Sequence, residues 1–82
     1  MDSNAAFRDL LDALESCDWK ETIELSMTLI TWMERGGDPP LTVGEAILGD
    51  DWHRTIATFL CYAARTKATS EFRRQRRRAS RV

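Results

Sequence analysis

Residues 18–40 of this 82-residue chain are DWKETIELSMTLITWMERGGDPP, and this stretch decides the fold. It opens on Asp18 with Glu21 three residues later, which is the capping-box pattern of a helix N-terminus. It closes on Gly36 and Gly37, a helix stop signal because glycine adopts the left-handed conformation without steric cost. Two prolines then prevent helical continuation. A helix over residues 18–35 is therefore predicted.

Apolar residues cover two sides of this helix. They form two stripes at helical spacing, one of Trp19, Ile23, Ile30 and Met33, and a second of Leu25, Leu29 and Trp32. A helix that is apolar over so much of its circumference contacts neighbours on two sides, so we expect it at the centre of the domain. So short a chain has few other elements to cover both stripes. We therefore predict that the second stripe, Leu25, Leu29 and Trp32, is a protein interface.

A helix is also predicted before this stretch, from Asn4 to Ser16, with Ser3 or Asn4 as its N-cap. Its apolar residues recur at i, i+3, i+4 and i+7: Phe7, Leu10, Leu11 and Leu14. The two helices with the turn at residues 16–18 resemble half of a tetratricopeptide-type array, which implies an antiparallel hairpin. Residues 32–40, WMERGGDPP, are similar to a signature of small uncharacterised bacterial helical proteins, which implies no activity.

After this stretch, two more helices are predicted. Residues 42–45, TVGE, repeat the capping pattern and predict a short helix over 43–48. Asp50 or Asp51 caps a last helix, whose predicted apolar face is Trp52, Ile56, Phe59, Leu60, Ala63 and Ala64. No stretch alternates apolar and polar residues as a strand does. The predicted fold class is all-α, a small bundle of three main helices plus one short helix, with Trp19 and Trp52 in its core and Trp32 exposed or at an interface.

Charge divides the chain into a helical domain, residues 1–70, and a basic arginine-rich tail, residues 71–82. The first part carries 6 Lys+Arg and 12 Asp+Glu, a balance of −6, and the second carries six arginines and Glu71, a balance of +5. The two balances sum to the net charge of −1. The tail contains no Pro or Gly, so it either continues the last helix or frays.

The tail is the candidate nucleic-acid-binding segment, through Arg73, Arg74, Arg76, Arg77, Arg78 and Arg81. Residues 73–78, RRQRRR, resemble the arginine-rich RNA-binding peptides of viral trans-activators, a resemblance that implies RNA binding. Two alternatives stay open: the tail pairs with acidic residues of its own chain or of a second copy, or it has no specific role. The acidic body argues against a dedicated nucleic-acid domain, because it repels phosphate.

Enzymatic chemistry is poorly supported by the sequence. His53 is the only histidine, so no second histidine can complete a zinc set, and His53 with Cys17 and Cys61 would give only three scattered ligands. A nucleophile pair of His53 with Cys17 or Cys61 has no third group. Two cysteines are too few for a disulfide framework, with a single Cys17–Cys61 bridge as the alternative. We expect no cofactor, metal or small-molecule substrate, and no membrane span, since no apolar run reaches 18 residues. A cytoplasmic location is the simplest expectation.

Two functions from different classes follow from these observations. The first is a non-catalytic helical protein–protein interaction module that binds a protein partner or forms a homodimer. The second is a small nucleic-acid-associated regulator that acts through the arginine-rich tail. The chain is long enough for one small domain and too short for a Rossmann pair or a (β/α)₈ barrel.

Overall fold

A computed structural model describes residues 1–42 and 49–80, and the side chains of all of these up to residue 77. Over these ranges the chain forms α1 (Ser3–Glu15), α2 (Trp19–Glu34) and α3 (Asp50–Ser80), and no strand. The all-α class with three main helices is confirmed. The short helix predicted over 43–48 lies outside the described residues.

Local signals set the ends of α1 and α2. Asp18 caps α2 as predicted, because its Oδ1 accepts the backbone N–H of Glu21 at 3.2 Å. The cap of α1 is Asp2, whose Oδ1 accepts the N–H of Ala5 at 3.1 Å, and not Ser3 or Asn4, which lie within the helix. Gly36 has a φ of +84°, the left-handed conformation expected after the end of α2.

The turn between α1 and α2 reverses the chain within three residues. Cys17 has a φ of +58°, a conformation that costs an L-residue roughly 1–2 kcal/mol. The N–H of Asp18 then donates to the carbonyl of Ala13 at 2.9 Å, so the turn is closed by a backbone bond to the last turn of α1. This closure brings α2 back along α1 as an antiparallel hairpin.

The second helix is central, as predicted, since α2 packs against both α1 and α3. The core joins large side chains of α1 and α2 to small ones of α3: Phe7, Leu10, Leu29, Ile30, Met33, Ala57, Cys61 and Ala64. Two buried hydroxyls on α2 are satisfied within the helix, because Thr22 Oγ1 donates to the Asp18 carbonyl at 2.8 Å and Ser26 Oγ to the Ile23 carbonyl at 3.0 Å.

The side of α3 that packs on the rest of the protein is built from small residues. Ala57, Cys61 and Ala68 have no exposed surface and Ala64 is 4% exposed, at spacings of four, three and four residues. This spacing places all of them on one side of a helix. Because α1 and α2 already supply the bulky side chains of the core, the space beside α3 accepts only small ones.

The predicted apolar face of α3 is therefore largely wrong. Trp52 is 63% exposed and Phe59 77% exposed, and Ala63 is also exposed. Ala64 alone of that set is buried, while Leu60 packs at the edge of the core. Trp52 thus does not belong to the core, and Trp19 is half-buried rather than enclosed.

The connection between α2 and α3 is fastened to two helices in its described part. The N–H of Leu41 donates to Oδ1 of Asn4 at 2.8 Å, which ties it to α1. The N–H of Thr42 donates to Nδ1 of His53 at 3.0 Å, which ties it to α3. Three helices and this connection therefore form one packed body.

The third helix is longer than the body that it packs against. Its 31 residues span about 46 Å at 1.5 Å per residue, whereas the 16 residues of α2 span about 24 Å. The last fully buried residue on α3 is Ala68. Residues 69–80 form a free end of about 18 Å that continues the helix without a break across the predicted domain boundary at 70/71.

Candidate interaction surface

The predicted interface residues Leu25, Leu29 and Trp32 are used by the chain itself. Leu29 is fully buried in the core, which removes it from any surface that a partner could reach in the folded protein. Leu25 and Trp32 are half-buried and pack against the same core. The physical reason is that α2 lies between α1 and α3, so both of its apolar stripes find neighbours.

Trp32 holds the start of the connection that follows α2. Its Nε1 donates to the carbonyl of Asp38 at 2.8 Å, and its indole lies so close to Gly37 that a Cβ there would overlap the ring. Glycine is therefore required at position 37 by close approach of a side chain. Trp32 is a structural residue of the loop, with part of its ring still accessible.

Three large aromatic side chains are exposed on α3. Trp52 is 63%, Phe59 77% and Tyr62 44% exposed. Spacings of seven and three residues place them on one side of the helix, opposite the buried alanines. We call Trp52, Phe59 and Tyr62 the outer aromatic face.

The arrangement of α3 explains why this face points to solvent. The inner side is occupied by Ala57, Cys61, Ala64 and Ala68, and a helix that buries this side must present the opposite one outward. Tyr62 is also positioned by its hydroxyl, which donates to Oε1 of Glu34 at 3.3 Å. The spacing of the small residues was visible in the sequence and is the signal that would have located the outer aromatic face.

The arginines lie on the free end of α3. Arg73, Arg74, Arg76 and Arg77 are exposed, whereas the Arg78 side chain and Arg81 lie outside the described residues. Among described residues, the salt bridges of this end are local: Lys67 Nζ lies 3.0 Å and Arg74 Nη1 3.5 Å from Oε1 of Glu71. The Arg76 guanidinium also lies 6.0 Å from the centre of the Phe72 ring. These salt bridges do not fold the tail back onto the acidic residues of α1.

Two of the three residues that the sequence offers for catalysis, His53 and Cys61, are buried in the fold. His53 is buried, and its Nδ1 accepts the Thr42 N–H, which occupies that nitrogen. Burial raises the pKa of the Cys61 thiol from 9.0 to about 11, so the nucleophilic thiolate is disfavoured. Cys17 is exposed in the α1–α2 turn, and both cysteines are free thiols.

Two features are absent from residues 1–42 and 49–80. No group of three or more His, Cys, Asp or Glu side chains there could hold a metal ion. None of α1, α2 and α3, in their described residues, combines the length and hydrophobicity of a membrane-crossing helix.

Comparison with protein-family models, with curated proteins and with solved structures found no match to this chain.

Proposed function

We propose that this protein is a non-catalytic helical interaction module and that its outer aromatic face binds a protein partner. The observation that carries the proposal is the exposure of Trp52, Phe59 and Tyr62 on one side of α3. The proposed interface lies on α3 and not on the α2 stripe predicted from the sequence, because Leu29 of that stripe is enclosed by its own chain.

The residue types favour binding. An aromatic side chain buries about 150–250 Å² when enclosed, so the exposed fractions of the three residues leave roughly 350 Å² of aromatic surface in water. That area is of the size of the largest apolar patch on an ordinary monomer, about 300–600 Å², and such patches are often functional. Trp and Tyr are also enriched among the residues that dominate binding energy at interfaces.

A second copy of the chain is the simplest partner. In a two-fold symmetric dimer the same patch on each copy meets its counterpart, so both are buried without a further component. The outer aromatic face lies on the side of α3 away from the inner alanines, so a second copy can reach it without disturbing the core.

Analytical ultracentrifugation of the purified protein across a wide concentration range tests this proposal. We expect a monomer–dimer equilibrium that Phe59→Ser weakens about 30-fold, the loss that corresponds to removal of an interface residue worth about 2 kcal/mol. Leu11→Ser is the matched control, because Leu11 is an exposed apolar residue, 41% accessible, on α1.

Each result of this experiment has a different meaning for the proposal. Association that falls with Phe59→Ser and not with Leu11→Ser supports the face on α3. A protein that stays monomeric at the highest concentration, with identical sedimentation of the Phe59→Ser variant, excludes the second copy as partner. Equal loss in both variants shows that association is non-specific.

A further inference from the structure

The C-terminal half of α3 carries a second surface, distinct in chemistry from the outer aromatic face. Seven side chains line one shallow groove there. The first is Tyr62, where this groove meets the outer aromatic face, and six lie beyond it: Arg65, Thr66, Thr69, Ser70, Arg73 and Arg77. Every one carries an N–H or O–H donor, and none carries a carboxylate. We call these six residues the donor face.

The geometry of the helix places the three arginines of the donor face on one broad side of α3. Arg65 and Arg73 are eight residues apart, about 12 Å along the axis, and Arg73 and Arg77 are four residues apart, about 6 Å. At 100° per residue all six positions fall within about 140° of the helix circumference, with the hydroxyls between the arginines. A row of cationic forks with interleaved hydroxyls is suited to an extended anion and not to a single small one.

The one carboxylate on this half of α3 lies on a different side of the helix from the donor face. Glu71 is the only acidic residue of α3 after Asp51, and it is bound to Lys67 and Arg74 on another side of the helix. No acidic side chain of α3 therefore competes with an anion on the donor face. The acidic residues that the sequence suggested as partners belong to α1 and α2.

Distance separates Arg77, at the far end of the donor face, from that acidic body, whereas Arg65 and Thr66 lie on the part of α3 that packs against it. Arg77 lies nine residues beyond Ala68, the last buried position, which is about 13 Å along the helix. The Debye length at physiological ionic strength is about 8 Å, so the repulsion of a phosphate by the body is largely screened at this position. The objection that an acidic domain repels nucleic acid therefore loses its force at the free end.

We infer that the donor face binds the phosphodiester backbone of a nucleic acid. Arginine forks match phosphate oxygens, and Ser and Thr hydroxyls are common phosphate contacts. The free end is a bare helix about 18 Å long, and the major groove of duplex DNA, about 12 Å wide, admits an α-helix. An acidic protein surface offers carboxylates to the same arginines and is the alternative that the experiment must exclude.

Fluorescence anisotropy with a labelled 20-base-pair DNA duplex and a labelled RNA hairpin tests the inference. Three arginine–phosphate contacts predict a slope of log K against log salt of about −2.7 on duplex DNA, which is about a 40-fold loss of affinity between 50 and 200 mM salt. Comparison of the two probes shows whether DNA or RNA is the better source of the phosphates. Polyglutamate of equal charge serves as a competitor.

Two variants with the same change in net charge locate the site. Arg73→Glu with Arg77→Glu removes two contacts, which lowers the slope to about −0.9 and the affinity at 50 mM salt about 10²-fold. Arg8→Glu with Arg35→Glu is the matched control, because both arginines are exposed on the body. We expect the control to lose less than about fivefold, through its net charge alone.

A third variant tests the hydroxyls at constant charge. Thr69→Val with Ser70→Ala keeps every arginine, so the salt slope should not change, while the loss of two phosphate contacts weakens binding by about tenfold. Circular dichroism of each variant checks that the helix content is preserved. A role for charge alone would leave this variant at the affinity of the unmodified protein.

Three results would overturn the inference. Polyglutamate that displaces the probes as well as unlabelled nucleic acid does would identify an acidic protein surface as the ligand. Equal losses in the two double-arginine variants would show that net charge, and not the donor face, is responsible. A salt slope near zero would exclude backbone contacts altogether.

Discussion

The two halves of α3 belong to one uninterrupted helix but are stabilised differently. Over residues 50–68 the helix packs on α2 through Ala57, Cys61, Ala64 and Ala68, and packing supplies most of its stability. Over residues 69–77, where the side chains are described, none is fully buried. There the helix depends on intrinsic propensity and on local pairs such as Lys67–Glu71, each worth about 0.2–0.5 kcal/mol.

The comparison shows that side-chain size does not decide which side of a helix is buried. In the packed half the large residues Trp52 and Phe59 point outward and the alanines inward, because the neighbouring helix leaves little room. In the free half no described side chain is fully buried, and the charged side chains lie on several sides of the helix. One element therefore exposes an aromatic surface and a cationic one for two different reasons.

Proline substitutions should show the largest difference in stability between the two halves of α3. Ala63→Pro in the packed half removes a helical hydrogen bond and clashes with the preceding turn, so we expect a loss of about 3 kcal/mol or more in the free energy of unfolding. Gln75→Pro in the free end should lower the helical signal in circular dichroism and leave the urea midpoint unchanged. An equal fall of the midpoint in both variants would show that the free end packs on the body.

Leucine at two adjacent alanines tests the close approach of α3 to the core. Ala64 is 4% exposed, and Ala64→Leu should cost about 1–3 kcal/mol in urea unfolding because the core has no room for the added carbons. Ala63→Leu, one position away on the exposed side, should change stability by less than about 0.5 kcal/mol. The reverse order would show that α3 buries the side that carries Ala63 and exposes the side that carries Ala64.

The smallest effect concerns the pH dependence of Cys61. Burial raises its pKa to about 11 from 9.0, so above pH 9 the unfolded chain loses the thiol proton first and stability falls through pH 11. We expect this thiol to account for about 1 kcal/mol of the loss at pH 10. Cys61→Ala should remove that part of the slope in urea unfolding at pH 8, 9 and 10.

Cys17 supplies the control for this prediction. It is exposed in the α1–α2 turn, whereas Cys61 is buried. Thiol labelling of the folded protein should therefore modify Cys17 quickly and Cys61 slowly. Equal labelling rates at the two thiols, or a pH slope that persists in Cys61→Ala, would contradict the burial of Cys61.

The elements that depend on local chemistry could be predicted from the sequence. The start of α2 at Asp18 and its end before Gly36 each follow from a few adjacent residues, and the central position of α2 follows from its two apolar stripes. The cap of α1 was misplaced by one residue or more, because Asp2, Ser3 and Asn4 are all good N-cap residues and only geometry selects among them.

The inner side of α3 could not be predicted by ranking hydrophobicity. Trp52 and Phe59 outweigh alanine on any such ranking, and the volume left beside α3 depends on Leu29, Ile30 and Met33 of another helix. The donor face could not be predicted from the sequence for a similar reason. The arginines of the tail were evident from composition, but Thr66, Thr69 and Ser70 join them only because the helix continues through residue 80.

Because α3 is unbroken, it fixes the distance and the angle between the outer aromatic face and the donor face. Phe59 and Arg73 are fourteen residues apart, which is about 40° short of four complete turns, so the two positions lie on the same side of α3 about 21 Å apart. Two partners, one on the aromatic surface and one on the cationic surface, would be held at this fixed spacing and on the same side. A single inserted alanine between Ala68 and Phe72 would rotate one position against the other by about 100° while it lengthens the spacing by only about 1.5 Å.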